Sequence, residues 1–183
     1  MIRLDALTLG AAPPEDINVL ITVSCGAEPF DVRVDDRSGA LTVSQLLHST
    51  MRTPGNLGVI PHTQGDNADP LQALVLTSHV LAPGMVIAAR PVGVLYVSGD
   101  AADEATVLAV PAARLSARHA AIANYTDLPS GELRQIAHFF SHYRDMEDAR
   151  PARSAGWGDV SEARRVIMEA SERVRDHLPL IDR

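Results

Sequence analysis

At 183 residues, with 46% apolar and 21% charged side chains, the chain has the make-up of one folded domain, not of a disordered protein. Its formal net charge of −7 argues against a general binder of nucleic acid or of an anionic membrane. No apolar run approaches the roughly 18 residues that a membrane span requires. Cys25 is the only cysteine, so neither an intramolecular disulfide nor a cysteine zinc cluster can form. A cytoplasmic protein is expected, since the first residues lack a basic segment followed by an apolar core.

In chain order, the first two-thirds reads as short strands. Ile17–Val23 is β-branched with alternating apolar positions, and similar stretches recur at Phe30–Val34, Ala40–Val43, Gly58–Ile60, Leu71–Thr77, Val86–Ala89, Gly93–Val97 and Thr106–Val110. Turn signals such as Thr53-Pro54-Gly55-Asn56 and Ala82-Pro83-Gly84 separate them. Closely spaced strands with such breaks predict a small closed or partly closed β-barrel. A short helix or turn is expected over Ala112–Ile122. After Pro129-Ser130 the period changes, and Leu133, Ile136, Ala137, Phe140 and Tyr143 predict an amphipathic helix over about 130–146. Asp159 and Glu162 stand in a capping-box relation and open a second helix with Ala163, Val166, Ile167, Ala170 and Val174 on its buried face. Strands first and helices afterwards give an α+β fold.

Several segments, in order and with scarcely a gap, are similar to the family I soluble inorganic pyrophosphatases of the bacterial hexameric type. They are Pro14-Glu15-Asp16-Ile17, Ser38-Gly39-Ala40-Leu41, Pro54-Gly55-Asn56 with Gly58, Pro61-His62-Thr63, Arg90-Pro91-Val92-Gly93-Val94-Leu95 and Ala109-Val110-Pro111. Gln135-Ile136-Ala137-His138-Phe139-Phe140, His142-Tyr143 and Gly156-Trp157 complete the set. The resemblance implies a five-stranded OB-like β-barrel with helices packed outside. It also implies a single domain over 1–183, with the barrel at about 15–112 and a helical part at about 112–178. The activity it implies is hydrolysis of diphosphate on several Mg²⁺ ions held by clustered carboxylates.

The resemblance also locates the departures. Where the family has Asp-x-Asp-Pro-x-Asp, this chain has Asn67-Ala68-Asp69-Pro70-Leu71-Gln72, so both outer carboxylates are amides. The metal-side glutamate of the first strand falls at Thr22. The Lys-x-Glu pair falls at Asp31 and Arg33 with both charges reversed. The phosphate-binding arginine falls at Gln45, and the tyrosine of Asn-Tyr-Gly at Leu57. In the later loop, Gly99, Glu104 and Thr106 stand where the family has two aspartates and a lysine, with Asp100 and Asp103 nearby. Tyr143 is kept, and Arg144 and Arg150 stand at lysine positions.

On this reading the multi-Mg²⁺ nest is degraded, and no cofactor is expected, with Mg²⁺ required only if pyrophosphatase activity remains. Residual metal candidates are Asp69, Glu104 and Asp100. The expected function is a repurposed pocket that performs metal-independent acid–base chemistry of cyclase, lyase or isomerase type on another small molecule, with a place in secondary metabolism. Asp69, Tyr143 and Asp31 are the expected catalytic groups, and Arg33, Arg52, Leu57, Arg144, Gln45, Gln72 and Asn67 the expected ligand-binding ones. Leu57, Thr22, Thr53 and Thr106 replace charged or aromatic groups, so the ligand should be less charged than diphosphate. The alternatives are a non-catalytic pseudoenzyme that regulates an active subunit, and a feeble Mg²⁺-dependent diphosphatase. His138 and His142, four apart on one helix face, are read as subunit-interface residues of a homo-oligomer, a hexamer by family analogy.

Overall fold

The structure is a computed structural model and describes residues 4–35, 38–98, 103–147 and 153–177. Strands β1 (Ile17–Val23), β4 (Asn56–Val59), β5 (Gln72–Val75), β7 (Asp103–Pro111) and β6 (Val86–Ser98) pair in that order, and β6 returns to pair with β1, which closes the barrel. All these pairings are antiparallel except β5 with β7. β2 (Phe30–Val34) and β3 (Leu41–Leu46) form a separate hairpin, in which Asp31 faces Gln45 before the register shifts at Val32. Such a shift is a β-bulge, and it bends the hairpin.

Two predicted strands, Val86–Ala89 and Gly93–Val97, are one continuous strand of 13 residues. Pro91 cannot donate to a ladder, and a register shift against β7 falls between Pro91 and Gly93. The strand therefore bends, pairing with β1 before the shift and with β8 (Arg153–Gly158) after it. Gly93 is needed at this bend: a Cβ there would stand 2.8 Å from the Tyr125 Cβ. Tyr125 in turn stacks on Trp157 of β8 at 5.4 Å.

Alternate residues of the barrel strands bury opposite faces. Leu74, Leu95, Leu108 and Val110 pack with Ile136, Phe139 and Phe140 of α1 (Ser130–His142). Ala73, Val75, Val107 and Ala109 pack with Ile167 and Ala170 of α2 (Val160–His177). The expected helical stripe on α1 is displaced toward Phe139, which is buried where Ala137 is only half-buried. At the start of α2 the Glu162 amide donates to Asp159 Oδ1 at 2.9 Å, as the capping residues predict. The stretch 112–122 holds only a 3₁₀ turn, Ala117–His119.

Candidate active site

A cleft of about 1370 Å³ opens between the barrel, the β2–β3 hairpin, the loop before β5 and one face of α2. It gathers Thr22, Asp31, Arg33, Gln45, Leu57, Asn67, Asp69, Gln72, Glu104, Thr106, Tyr143 and Arg144, positions far apart in sequence. Arg52 is not among its lining residues; it pairs with Glu28 at 2.8 Å. Asp100, Gly99 and Arg150 lie outside the described residues.

The loop before β5 is built by its own hydrogen bonds. The Asp69 amide donates to Asn67 Oδ1 at 3.1 Å, the Gly65 amide donates to the Asp69 carbonyl at 2.8 Å, and Ala68 adopts a left-handed φ of 66°. Thr63 Oγ1 accepts from the Leu71 amide and donates to the Ile60 carbonyl, which fixes the loop's base. The Asn67 amide group is thus engaged in the turn. Gln72 Oε1 accepts from Thr106 Oγ1 at 2.9 Å, because β5 and β7 place these two residues opposite each other.

Among the described residues three arginine–aspartate pairs line the cleft, and two of them involve Asp31 and Asp69. Arg144 Nη2 donates to Asp31 Oδ1 at 2.8 Å and Arg144 Nε donates to the Tyr143 hydroxyl at 2.9 Å. Arg33 Nη2 stands 3.6 Å from Asp69 Oδ2. Burial pushes the Tyr143 phenol up to about 12; the Arg144 charge opposes this, and Glu104 and Asp31 add to it. Tyr143 therefore keeps its proton through the neutral range and retains an O–H to donate. Burial works against the Arg144 charge, but Tyr143, Asp31 and Glu104 outweigh it and hold the guanidinium firmly protonated.

The α2 wall was missed by sequence reasoning. Arg165, Glu169 and Arg173 recur every fourth residue and all line the cleft. Arg165 bonds Glu162 and Glu169, while Arg173 donates to the Gln64 carbonyl and pairs with Asp66 at 2.9 Å. That spacing of alternating charge was visible in the sequence as one helical stripe.

Among the described residues no group of three or more His, Cys, Asp or Glu is placed to hold a metal ion. The donor set of the described residues, which leave out 99–102, therefore does not fit a prebuilt cluster of several Mg²⁺ ions. The His138 and His142 rings lie 4.6 Å apart, tilted by 52°, on an exposed face of α1, and burial pushes the Cys25 thiol up at a site outside the cleft.

The inorganic pyrophosphatase family model matches residues 21–175. The chain belongs to the inorganic pyrophosphatase family. It is 43% identical to an inorganic pyrophosphatase of Agrobacterium fabrum, over 94% of this chain and 98% of that protein. It is 42% identical to that of Brucella melitensis over the same shares. Among solved structures it superposes on the inorganic pyrophosphatase of Thermus thermophilus with a TM-score of 0.87 at 30% identity, covering 95% of this chain and 99% of that one. The α+β, OB-like barrel is thereby established.

These matches correct the expected function. A repurposed, metal-independent cyclase, lyase or isomerase, a pseudoenzyme and a place in secondary metabolism all conflict with relatives of this identity that are named inorganic pyrophosphatases. The expectation of a protein without a cofactor is corrected by the same family assignment, because the family's chemistry depends on Mg²⁺. Counting lost carboxylates misled for a physical reason. Losses within one cooperating site do not add, so a count of carboxylates does not by itself decide the activity. Among the described residues no helix is long and apolar enough to cross a membrane.

Proposed function

We propose that the chain hydrolyses inorganic diphosphate, taken up as its Mg²⁺ complex, in the cleft between the barrel and the β2–β3 hairpin. The observation that carries this reading is the convergence of Asp31, Asp69, Glu104, Tyr143 and Arg144 on one cleft in a chain matching pyrophosphatases over nearly its full length. The motif around Asp69 is a divergent one, and Mg²⁺ here belongs to the substrate more than to a preformed nest.

Arg144 and Arg33 take phosphate oxygens through charge-assisted hydrogen bonds. Tyr143 donates its phenolic hydrogen to the same anion. Asp69, with Glu104 and Asp31 nearby, is placed to accept a proton from the attacking water. Water adds to one phosphorus, the bridging P–O bond breaks, and two phosphates leave. Gln45, Gln72, Asn67 and Leu57 shape the cleft walls. The chain acts as one domain over 1–183 and assembles in the cytoplasm as a homo-oligomer, a hexamer by family analogy, with the exposed His138–His142 pair at a subunit contact.

Phosphate release from diphosphate in excess MgCl₂, against the same assay in EDTA, tests the reading. Mg²⁺-dependent release is expected, with D69N slower by about 10²-fold, the usual scale of a positioned acid–base group. Absence of release at every Mg²⁺ concentration and pH would overturn it.

A further inference from the structure

The loop that carries Asp69 is clasped from outside by α2. Gln64 gives both of its backbone groups to that helix: its amide donates to the Ala170 carbonyl at 2.8 Å, and its carbonyl accepts from Arg173 Nη1 at 3.0 Å. The other arm of the same guanidinium reaches Asp66 Oδ1 at 2.9 Å. We propose that Arg173 is a positioning residue for diphosphate hydrolysis, which sets where the Asp69 carboxylate stands by locking residues 64–69 onto α2. This rests on Asp69 serving as the proton acceptor proposed above.

Ala170 and Arg173 are three residues apart, so a carbonyl and a guanidinium leave α2 on the same face. Ala170 is fully buried and packs with Ile167 against Ala73, Val75 and Ala109, which fixes this turn of the helix to the barrel. Within the loop the Gly65 amide donates to the Asp69 carbonyl at 2.8 Å and the Ala68 amide to the Gly65 carbonyl at 3.2 Å. Gln64 Nε2 adds a longer bond to the Ala68 carbonyl at 3.4 Å. These bonds tie residues 64–69 into one turn, so a hold on Gln64 is passed on to Asp69.

The backbone matters here because Arg33 comes no closer to the Asp69 carboxylate than 3.6 Å, beyond hydrogen-bond length. A reacting group displaced by about 1 Å can cost up to about 10²-fold in rate. As a charge pair Arg173 and Asp66 contribute little, since the two side chains are 40% and 62% exposed. The planar fork is what counts, because its two arms span a backbone carbonyl and a carboxylate at once. An ammonium on a flexible stem keeps the charge and loses that span.

Turnover of diphosphate in excess MgCl₂ and hydrogen exchange of the loop amides are measured on the full chain, in wild type, R173A, R173K, D66N, D69N and D69N/R173A. R173A is expected to lower kcat by about 10-fold while KM changes by less than about twofold, since the anion's own contacts remain and only the proton acceptor moves. R173K and D66N, each keeping one arm of the clasp, should fall between wild type and R173A. In the D69N background the further loss from R173A should vanish, because a residue that acts through Asp69 has nothing left to position. The Gln64 and Gly65 amides should exchange about 10-fold faster in R173A, the scale of one lost hydrogen bond to a charged group. The Ile60 amide, bonded to the Leu71 carbonyl at 2.9 Å at the base of the loop, should keep its wild-type rate. Unchanged exchange at Gln64 and Gly65, an equal rise at Ile60, a loss carried by KM, or an equal loss from R173A in both backgrounds would overturn the inference. If R173A fails to fold, D66N, altered at an exposed carboxylate, carries the same comparisons alone and combined with D69N. Mg²⁺-dependent release that R173A leaves intact defeats the positioning role alone, whereas no release from wild type, with the exchange pattern as expected, defeats the proposed function alone.

Discussion

At Tyr143 the hydroxyl oxygen already accepts from Arg144 Nε at 2.9 Å, and burial holds the phenol up to about 12, so in the proposed reaction the group serves as a donor. Tyr143→Phe removes that donor while keeping the ring that stacks on Phe139 at 4.9 Å. Diphosphate turnover in the variant is expected to fall by about 10-fold, the scale of one hydrogen bond to a charged group. The variant also has an alkaline signature. Because the folded phenol titrates above its ordinary value of 10, its contribution is full below pH 10 and is lost as pH rises through about 12. Urea unfolding at pH 9 and 11.5 should show a smaller loss for Tyr143→Phe than for wild type; an equal loss would exclude the phenol as its source. That Asp31, Asp69 and Tyr143 line one cleft was legible from the family resemblance, whereas the absence of Arg52 from it and the α2 wall were not. What the amides do was not, since Asn67 closes a local turn and Gln72 meets a threonine 34 residues away. Those partners depend on loop geometry and strand register, which no short window of sequence contains.

The second helix shows how an element is fixed at one end and used at the other. Asp159 caps its first turn, and Glu162 one turn in accepts from Tyr96 at 2.6 Å and from Arg165. Asp159→Ala should cost about 1 kcal/mol, measured by urea unfolding, because one first-turn amide loses its acceptor. The hydrogen bonds from Arg165 and then Tyr96 hold the Glu162 carboxyl down at about 2, against an ordinary value of 4.5. The sign follows from that depression: the contribution is present above about pH 4.5 and is lost as pH falls through about 2. Glu162→Gln should therefore be less stable than wild type at pH 7, with the gap narrowing between pH 4.5 and 2. A constant gap across that window would show that the ion pair contributes nothing. The helix start was legible because a cap is local. Strand β8 was not, since Ser154, Gly156 and Gly158 have little strand preference, and it pairs only because the far half of β6 presents an edge after its bend at Pro91.

Across the whole molecule, one sheet separates two apolar clusters that share no member, one completed by α1 and the other by α2. Near-continuous apolar runs such as Val107–Val110 reflect this, because both faces of the strand are buried and the alternation that marks a half-exposed strand is missing. Barrel strands and two covering helices could thus be read from the sequence, whereas the closing pair of β1 with β6 joins segments far apart in the chain and emerges only in three dimensions. The separation makes a quantitative expectation. Ile136 and Ile167 are both fully buried, one in each cluster. Truncating either to alanine should destabilise the chain by about 2–5 kcal/mol, since a buried side chain of this size leaves a cavity that closes only partly. With no shared neighbours in the clusters, the double variant I136A/I167A should lose the sum of the two within about 0.5 kcal/mol. Urea unfolding of the four proteins under one set of conditions measures this directly. A double variant more than about 1 kcal/mol away from the sum would mean that the sheet transmits strain between its faces, and that the two halves of the core act as one packed unit.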